Sequence, residues 1–367
     1  MKGYDVAVIG GGVIGCAVAR HVARQGASTV VLERGTPGAE ASHAAAGMLA
    51  PLAEADGPGP FLDLLRAGAH AYPDFVADLA RETGIDCGYR TEGTLLVSLR
   101  EADDAPLEHR YRWQSDAGLP VERLERDAAL QLEPGLAPTL RKALLFPLDR
   151  QLDNRLRARA LPAAAAAAGA DFRLGEPAGV RHDGARVTGA TFGGDEISAA
   201  TVVIAAGAWS GTIAGAPDPP PVRPVRGQIL ALDVLPLAFT HTIDSLRGYL
   251  VPRSDGRLIV GATVEAGGWS KALTPRGVGE LLEAAVQIAP ALADAPIVEL
   301  WAGLRPGTPD GLPVLGPDPR LGGLLYASGH YRNGILLAPL TGQAIGELAL
   351  GRPSPIELEA FSPARFR

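Results

Sequence analysis

Cysteine is nearly absent: Cys16 and Cys87 are the only two among 367 residues. They make no C-x-x-C pair and cannot build a disulfide framework, which points to a reducing cytoplasm. Histidine is scarce too, with seven residues and no H-x-x-x-H pair, so a zinc site has no support. No apolar run reaches the roughly 18 residues of a membrane-crossing helix. The start, Met1-Lys2-Gly3-Tyr4-Asp5, runs straight into a strand-like segment and leaves no room for a cleaved signal. Positive charge is in deficit: 34 Lys and Arg stand against 41 Asp and Glu, a net charge of −7. Neither nucleic acid nor an anionic membrane is expected as a partner. No internal repeat is evident. What is present is a 47% apolar and 20% charged chain, the composition of a globular protein with a large core. Its length suits about two domains.

Val6-Ala7-Val8-Ile9 is short and β-branched, and Gly10-Gly11-Gly12 closes it, as expected of a buried parallel strand. Apolar residues then recur at helical spacing from Val13 to Gln25, and Gly26 is a helix C-terminus. Thr29 to Glu33 is a second buried strand, so the three form a βαβ unit. Ala41 to Pro51 is rich in small residues and lacks charge. Phe61 to Thr83 reads as one amphipathic helix stopped by Gly84. Thr94 to Ser98 reads as a strand, and Glu101 to Leu136 as mostly helix. Asp153 caps the next helix, which runs to Gly169 with a kink or break expected at Pro162. Val180 to Ser198 is two or three short antiparallel strands, and Thr201 to Gly207 another buried strand. Pro217 to Pro224 is a proline-dense crossing between domains. Strand pattern returns from Gly227 to Thr263, and Pro275 to Ile288 is helical. Val298 to Leu304 and Leu324 to Ala327 are strands. Gly334 to Leu350 is a final helix, ended by Gly351 and Pro353.

Gly10-x-Gly12-x-x-Gly15 follows a strand and opens a helix. The first glycine makes the tight turn, the second admits a pyrophosphate to the backbone, and the third lets helix and strand pack closely. The helix N-terminus offers unpaired N–H groups and partial positive charge to a diphosphate. Glu33 ends the second strand, where a carboxylate can accept hydrogen bonds from both ribose hydroxyls. These features define a dinucleotide site without separating NAD from FAD. Ala205-Ala206-Gly207-Ala208-Trp209-Ser210 reads as a second backbone approach to the same cofactor, or as a plain strand-to-helix turn. Gly329-His330-Tyr331-Arg332-Asn333-Gly334-Ile335 precedes the last helix, whose N-terminus can stabilise negative charge on a reduced flavin. Gly207-Ala208-Trp209-Ser210-Gly211 is not a G-x-S-x-G nucleophile motif.

Five segments together resemble the D-amino-acid oxidase family of flavoproteins, and within it the branch that oxidises glycine for the thiamine pathway. They are Val6 to Gly15, Ala41 to Pro51, Gly248-Tyr249-Leu250-Val251-Pro252-Arg253, Trp301-Ala302-Gly303-Leu304-Arg305-Pro306, and Gly329 to Pro339. The resemblance covers nearly the whole chain. It implies an α/β protein: a Rossmann-like FAD-binding domain with a second, α+β substrate domain on a large antiparallel sheet. Both are discontinuous, with 1–83, 146–215 and 300–367 in the first and 84–145 and 216–299 in the second. It implies non-covalent FAD and transfer of an α-hydride to flavin N5 from glycine, sarcosine or a small D-amino acid. The imino acid is then hydrolysed to a keto acid and ammonia, and oxygen becomes hydrogen peroxide. The alternative is a D-amino-acid dehydrogenase that passes electrons to a quinone or another carrier. A homo-oligomer, often a tetramer in this branch, is implied as well.

By the same resemblance the cofactor is held at the first turn by Gly10, Gly12, Val13, Ile14 and Gly15, then by Glu33 and Arg34. Ser42, Ala45, Ala46, Gly47 and Met48 follow, with Val180, then Ala206, Gly207 and Trp209. His330, Arg332, Asn333, Gly334 and Ile335 complete the set. Arg305 is the clamp for the substrate carboxylate, since a guanidinium pairs bidentately with it; its other reading is a structural ion pair. Tyr249 is placed over the flavin with its hydroxyl near the carboxylate, or else is a core tyrosine. Arg332 closes the pocket or holds the nearby loop. No acid–base residue is assigned. His43 stands where a small hydroxyl residue is expected and is the one candidate for covalent attachment. His241 and His330 are nearer the site than the other histidines.

Overall fold

The computed structural model describes residues 3–236, 239–266 and 268–367. Met1 and Lys2 of the expected lead into the first strand lie outside it, as do Leu237 and Ala238 of the expected strand region. The chain opens with strand β1 (Tyr4–Ile9), helix α1 (Val13–Arg24) and strand β2 (Thr29–Glu33). Val6, Ala7 and Val8 are wholly buried, as befits a strand covered on both faces. β1 pairs in parallel with β2 on one side, from Val6–Thr29 to Ile9–Leu32. On the other it pairs in parallel with Asp195–Ile204, from Tyr4–Ala199 to Ile9–Ile204.

This first sheet has eight strands. Along its main path the order is Val314–Pro317, Leu324–Ser328, Asp195–Ile204, β1, β2 and Asp171–Leu174. Val187–Phe192 and Ala178–His182 attach as an antiparallel pair to the early part of Asp195–Ile204. One core cluster joins α1, the helix Asn154–Ala167 and the final helix Gly334–Ala349 to one side of the sheet.

The second sheet has nine strands. Its path runs Glu265–Ala266, Arg223–Asp233, Arg257–Gly261, Gly248–Pro252, Thr242–Ser245, Thr94–Ser98, Lys142–Phe146 and Glu122–Glu125. Every pairing is antiparallel except that of Thr242–Ser245 with Thr94–Ser98, which is parallel. The strand Ile297–Gly307 lies along Arg223–Asp233 in this sheet, with Arg305 opposite Val225. Residues 300–307, expected with the cofactor unit, therefore lie in the second sheet. The proline-dense stretch 217–224 links the turn Gly207–Thr212 of the first unit to Arg223–Asp233 of the second.

Three local expectations change. Phe61 to Thr83 is two helices, Pro60–His70 and Tyr72–Thr83. Pro73 sits in the first turn of the second, where its missing N–H costs nothing but cannot continue the first helix. The helix Asn154–Ala167 runs across Pro162 without a break. Ala160, Leu161, Ala164 and Ala165 are all but fully buried around that proline, and their packing outweighs one lost hydrogen bond. Between Glu101 and Leu136 a strand, Glu122–Glu125, separates two helices. The Asp153 cap does form: its carboxylate accepts from the Arg155 and Leu156 N–H groups.

Candidate active site

An elongated cavity runs from the end of β2, past the glycine turn, to the face of the second sheet. The glycine turn shapes its floor. Gly10 has φ +109°, and a Cβ there would meet the Ala205 carbonyl oxygen at 2.5 Å. A Cβ on Gly15 would lie 1.9 Å from the Gly10 carbonyl oxygen. Gly15 therefore packs helix on turn from behind and does not reach the cavity wall, whereas Gly10, Gly12, Val13 and Ile14 do. The backbone is thus bare where a pyrophosphate needs to approach it, which fits the residues to a dinucleotide.

The Glu33 carboxylate accepts from the Gly11 N–H at 2.7 Å and the Gly35 N–H at 2.8 Å. A carboxylate has about four acceptor positions, so capacity remains for ribose hydroxyls. Arg34 follows on the wall, its guanidinium carbon 3.8 Å from the centroid of the Trp209 ring. Ala206, Gly207 and Trp209 line the same region. Val180 does not. It lies in the core, with its N–H on the Ala214 carbonyl at 2.8 Å, and Pro177 and Ala178 stand on the wall in its place.

The small-residue segment crosses the middle of the cavity. The Ser42 hydroxyl accepts the Val13 N–H at 3.0 Å, so it satisfies one donor at the mouth of α1. Ala45, Ala46, Gly47 and Met48 line the wall. The buried Arg253 braces them: it donates to the Ala46 carbonyl, to Gln151 at 3.1 Å and to Asn154 at 3.3 Å. Burial lowers its guanidinium pKa to about 10, still charged at neutral pH. Asn154 donates to the Ser42 and His43 carbonyls, and the Trp301 indole N–H donates to the Ala44 carbonyl at 3.0 Å. His43 itself is exposed and off the wall, so its side chain is not placed for attachment to a cofactor.

At the far end, Arg305 and Tyr249 rise from the second sheet and Arg332 comes from the loop before the final helix. The Arg305 guanidinium lies on Gly227, where a Cβ would meet Nη1 at 2.3 Å. Nη1 donates to the Thr263 carbonyl at 3.0 Å and the Arg226 carbonyl at 3.4 Å. Among the described residues it has no carboxylate partner. An arginine on a cavity wall that is oriented by carbonyls and lacks a counter-ion is set to take an anion. Tyr249 is buried, and burial raises its phenol pKa. Arg332 differs: Nε and Nη2 form a fork with Glu54 at 2.7 and 2.6 Å.

Glu54 was not anticipated. It sits in a Gly/Pro-rich loop and lies on the cavity wall beside these groups. Two further acids stand near it. Asp244 pairs with Tyr249 across the strands; burial first, then the Glu54 charge, raises its carboxyl to about 7. Asp149 is fully buried, with one oxygen 3.4 Å from the Leu52 N–H and the other unpartnered among the described residues. Burial raises it to about 8.

The turn at Tyr331, with φ +48°, swings His330 and Arg332 onto the wall, and its N–H holds the Pro306 carbonyl at 3.0 Å. His330 is buried against the Thr341 hydroxyl at 3.0 Å, and burial lowers its pKa to about 3, so it is neutral. Asn333, Gly334 and Ile335 bring the N-terminus of the final helix to the same wall. His241 is not there: it pairs with Glu133 at 2.7 Å, away from the cavity.

A Rossmann-type cradle facing a sheet that carries an arginine with no carboxylate partner among the described residues fits a dinucleotide-dependent oxidoreductase. The chain belongs to the FAD dependent oxidoreductase (DAO) family, whose profile matches residues 5–348. Glycine oxidase of Geobacillus kaustophilus (strain HTA426) is 37% identical over 99% of this chain and 97% of its own length. The bifunctional protein ThiO/ThiG of Synechocystis sp. (strain ATCC 27184 / PCC 6803 / Kazusa) is 38% identical over 99% of this chain, which spans 54% of that protein. The crystal structure of glycine oxidase from Geobacillus kaustophilus superposes with a TM-score of 0.94 at 35% identity, covering 100% of this chain and 99% of that one. Among the described residues no helix is long and apolar enough to cross a membrane.

Proposed function

We propose that this chain oxidises glycine and other small amines, such as sarcosine and small D-amino acids, to the imino acid, which water converts to the keto acid and ammonia, or methylamine from sarcosine. The observation that carries the reading is Arg305, held by two carbonyls at the end of the cavity with no counter-ion among the described residues. There it would pin the substrate carboxylate, with the Tyr249 hydroxyl as a second donor. When bound, FAD supplies the acceptor for the substrate's α-hydride and passes the electrons to oxygen. Anchoring the carboxylate fixes the Cα–H bond relative to that acceptor, which is the protein's main contribution to rate. Neutral His330 adds no positive charge beside the substrate amine. The Glu54–Arg332 pair and Tyr249 bound the space left for a side chain, which favours small substrates.

In this reading Gly10, Gly12, Val13, Ile14, Glu33 and Arg34 hold the ADP half of FAD. Ala45 to Met48 and His330 to Ile335 hold the flavin half. The first-sheet unit is the cofactor domain and the second-sheet unit the substrate domain. Supply of the glycine imine for thiamine thiazole synthesis is proposed from the likeness to ThiO/ThiG. A cytoplasmic homo-oligomer, a tetramer, completes the proposal, and sedimentation tests it.

The direct test is an anaerobic titration of the purified protein with glycine, sarcosine, D-alanine and D-proline. Glycine is expected to bleach the yellow flavin spectrum, and air to restore it with one peroxide per substrate. A spectrum that none of the four bleaches overturns the assignment. Bleaching without peroxide in air assigns the alternative, a dehydrogenase coupled to another carrier.

A further inference from the structure

Residues of the second sheet's own unit contact two wall residues at the cavity end nearest β2. Trp209 stands on the wall there, and its indole carries the Arg34 guanidinium at 3.8 Å. A second indole, Trp269, stacks on Trp209 with centroids 5.2 Å apart and 25° between planes. Trp269 lies between the strand Glu265–Ala266 and the helix Pro275–Ile288, and it is 45% exposed. Two residues on, the Lys271 ammonium lies 3.1 Å from Glu40, itself a wall residue. Arg226 ties the same segment to its sheet, donating to the Ala272 carbonyl at 3.1 Å and pairing with Glu265. The segment is thus rooted in one unit and touches the other at two points, both at the cavity rim.

We infer that Trp269 and Lys271 are a clasp that retains the cofactor by stacking on Trp209 and pairing with Glu40 over the adenosine end of the cavity. The inference rests on the FAD reading of the cradle. It makes Trp269 a positioning residue: it steadies Trp209 and Arg34, and the dinucleotide leaves only when the two indoles part. Aromatic stacking has the larger share, because an exposed Lys–Glu pair contributes little.

The test is the rate at which holoprotein releases FAD after dilution, followed by the rise in flavin fluorescence. Trp269→Ala is expected to speed release about three- to tenfold, Lys271→Glu about twofold, and Trp269→Phe to stay close to wild type. The melting temperature of the flavin-free protein is expected to be the same in all four, while that of the holoprotein falls for Trp269→Ala. Release from Trp269→Ala at the wild-type rate overturns the clasp. So does an equal fall in melting temperature with and without flavin, which marks a purely structural residue. A wild-type protein that takes up no FAD overturns the cofactor reading beneath it.

Discussion

The two ends of the cavity are built on different principles. The cofactor end is main chain: one turn of glycines and one helix N-terminus, contiguous in sequence, with a carboxylate a strand away. The far end is side chains: Arg305, Tyr249, Arg332 and Glu54 arrive from four distant segments, and Arg332 meets Glu54 across 278 positions. Within that end the two arginines also differ, one without a counter-ion among the described residues and one forked to a carboxylate. A backbone site is thus specified by the absence of side chains, whereas a side-chain site is specified by pairing, and the pairing decides which arginine is available.

The comparison breaks first at the turn. Gly10→Ala puts a Cβ at φ +109° into the Ala205 carbonyl, and the expected result is protein that retains no flavin, read from the ratio of flavin to protein absorbance. Full flavin occupancy in that variant would show that the main chain there can give way. Arg305→Ala is expected to lower kcat/KM for glycine roughly a hundredfold while flavin content is unchanged, since a lost charge-assisted pair costs about 3 kcal/mol. Loss of flavin together with activity would merge the two ends into one site.

Glu54→Gln sharpens the contrast between the arginines. Releasing Arg332 from its fork is expected to tighten inhibition by acetate about three- to tenfold, read as a lower inhibition constant. An unchanged constant would show that Arg332 does not reach the substrate carboxylate.

The smallest effect concerns the acid buried behind this end. Asp149 holds its proton to about pH 8 when folded, against about 3.8 when unfolded. The folded chain therefore binds more protons between those values, and stability from this group, complete below pH ~4, is lost as pH rises toward 8. The fall in urea midpoint from pH 5 to pH 8 is expected to be smaller in Asp149→Asn than in wild type. An equal fall in both would mean the carboxyl is solvated.

The βαβ unit, its glycine turn and Glu33 were legible because the pattern is local: apolar periodicity switches at Gly10-Gly11-Gly12 and again at Gly26. Arg305 and Tyr249 could be singled out as residues, but not their surroundings. Gly227 lies beneath Arg305 only once Arg223–Asp233 and Ile297–Gly307 are in register, and a glycine in a strand pattern gives no hint of a guanidinium above it. Glu54 opens a Gly/Pro-rich loop, where no local pattern ties a carboxylate to a distant arginine. Trp269 carried no periodic signal. The single helix drawn from Phe61 to Thr83 failed at Pro73, because both halves share one amphipathic phase and the turn between them is short.

By itself the sequence determined where the main chain would be bare, where the first and last helices run, and which residue types were on hand to grip an anion. Tertiary structure alone decided that Glu54 forks with Arg332, that Arg305 has no carboxylate partner among the described residues, and that Trp269 stacks on Trp209. Such choices depend on distance and burial between segments hundreds of residues apart, and local propensity carries no information about either.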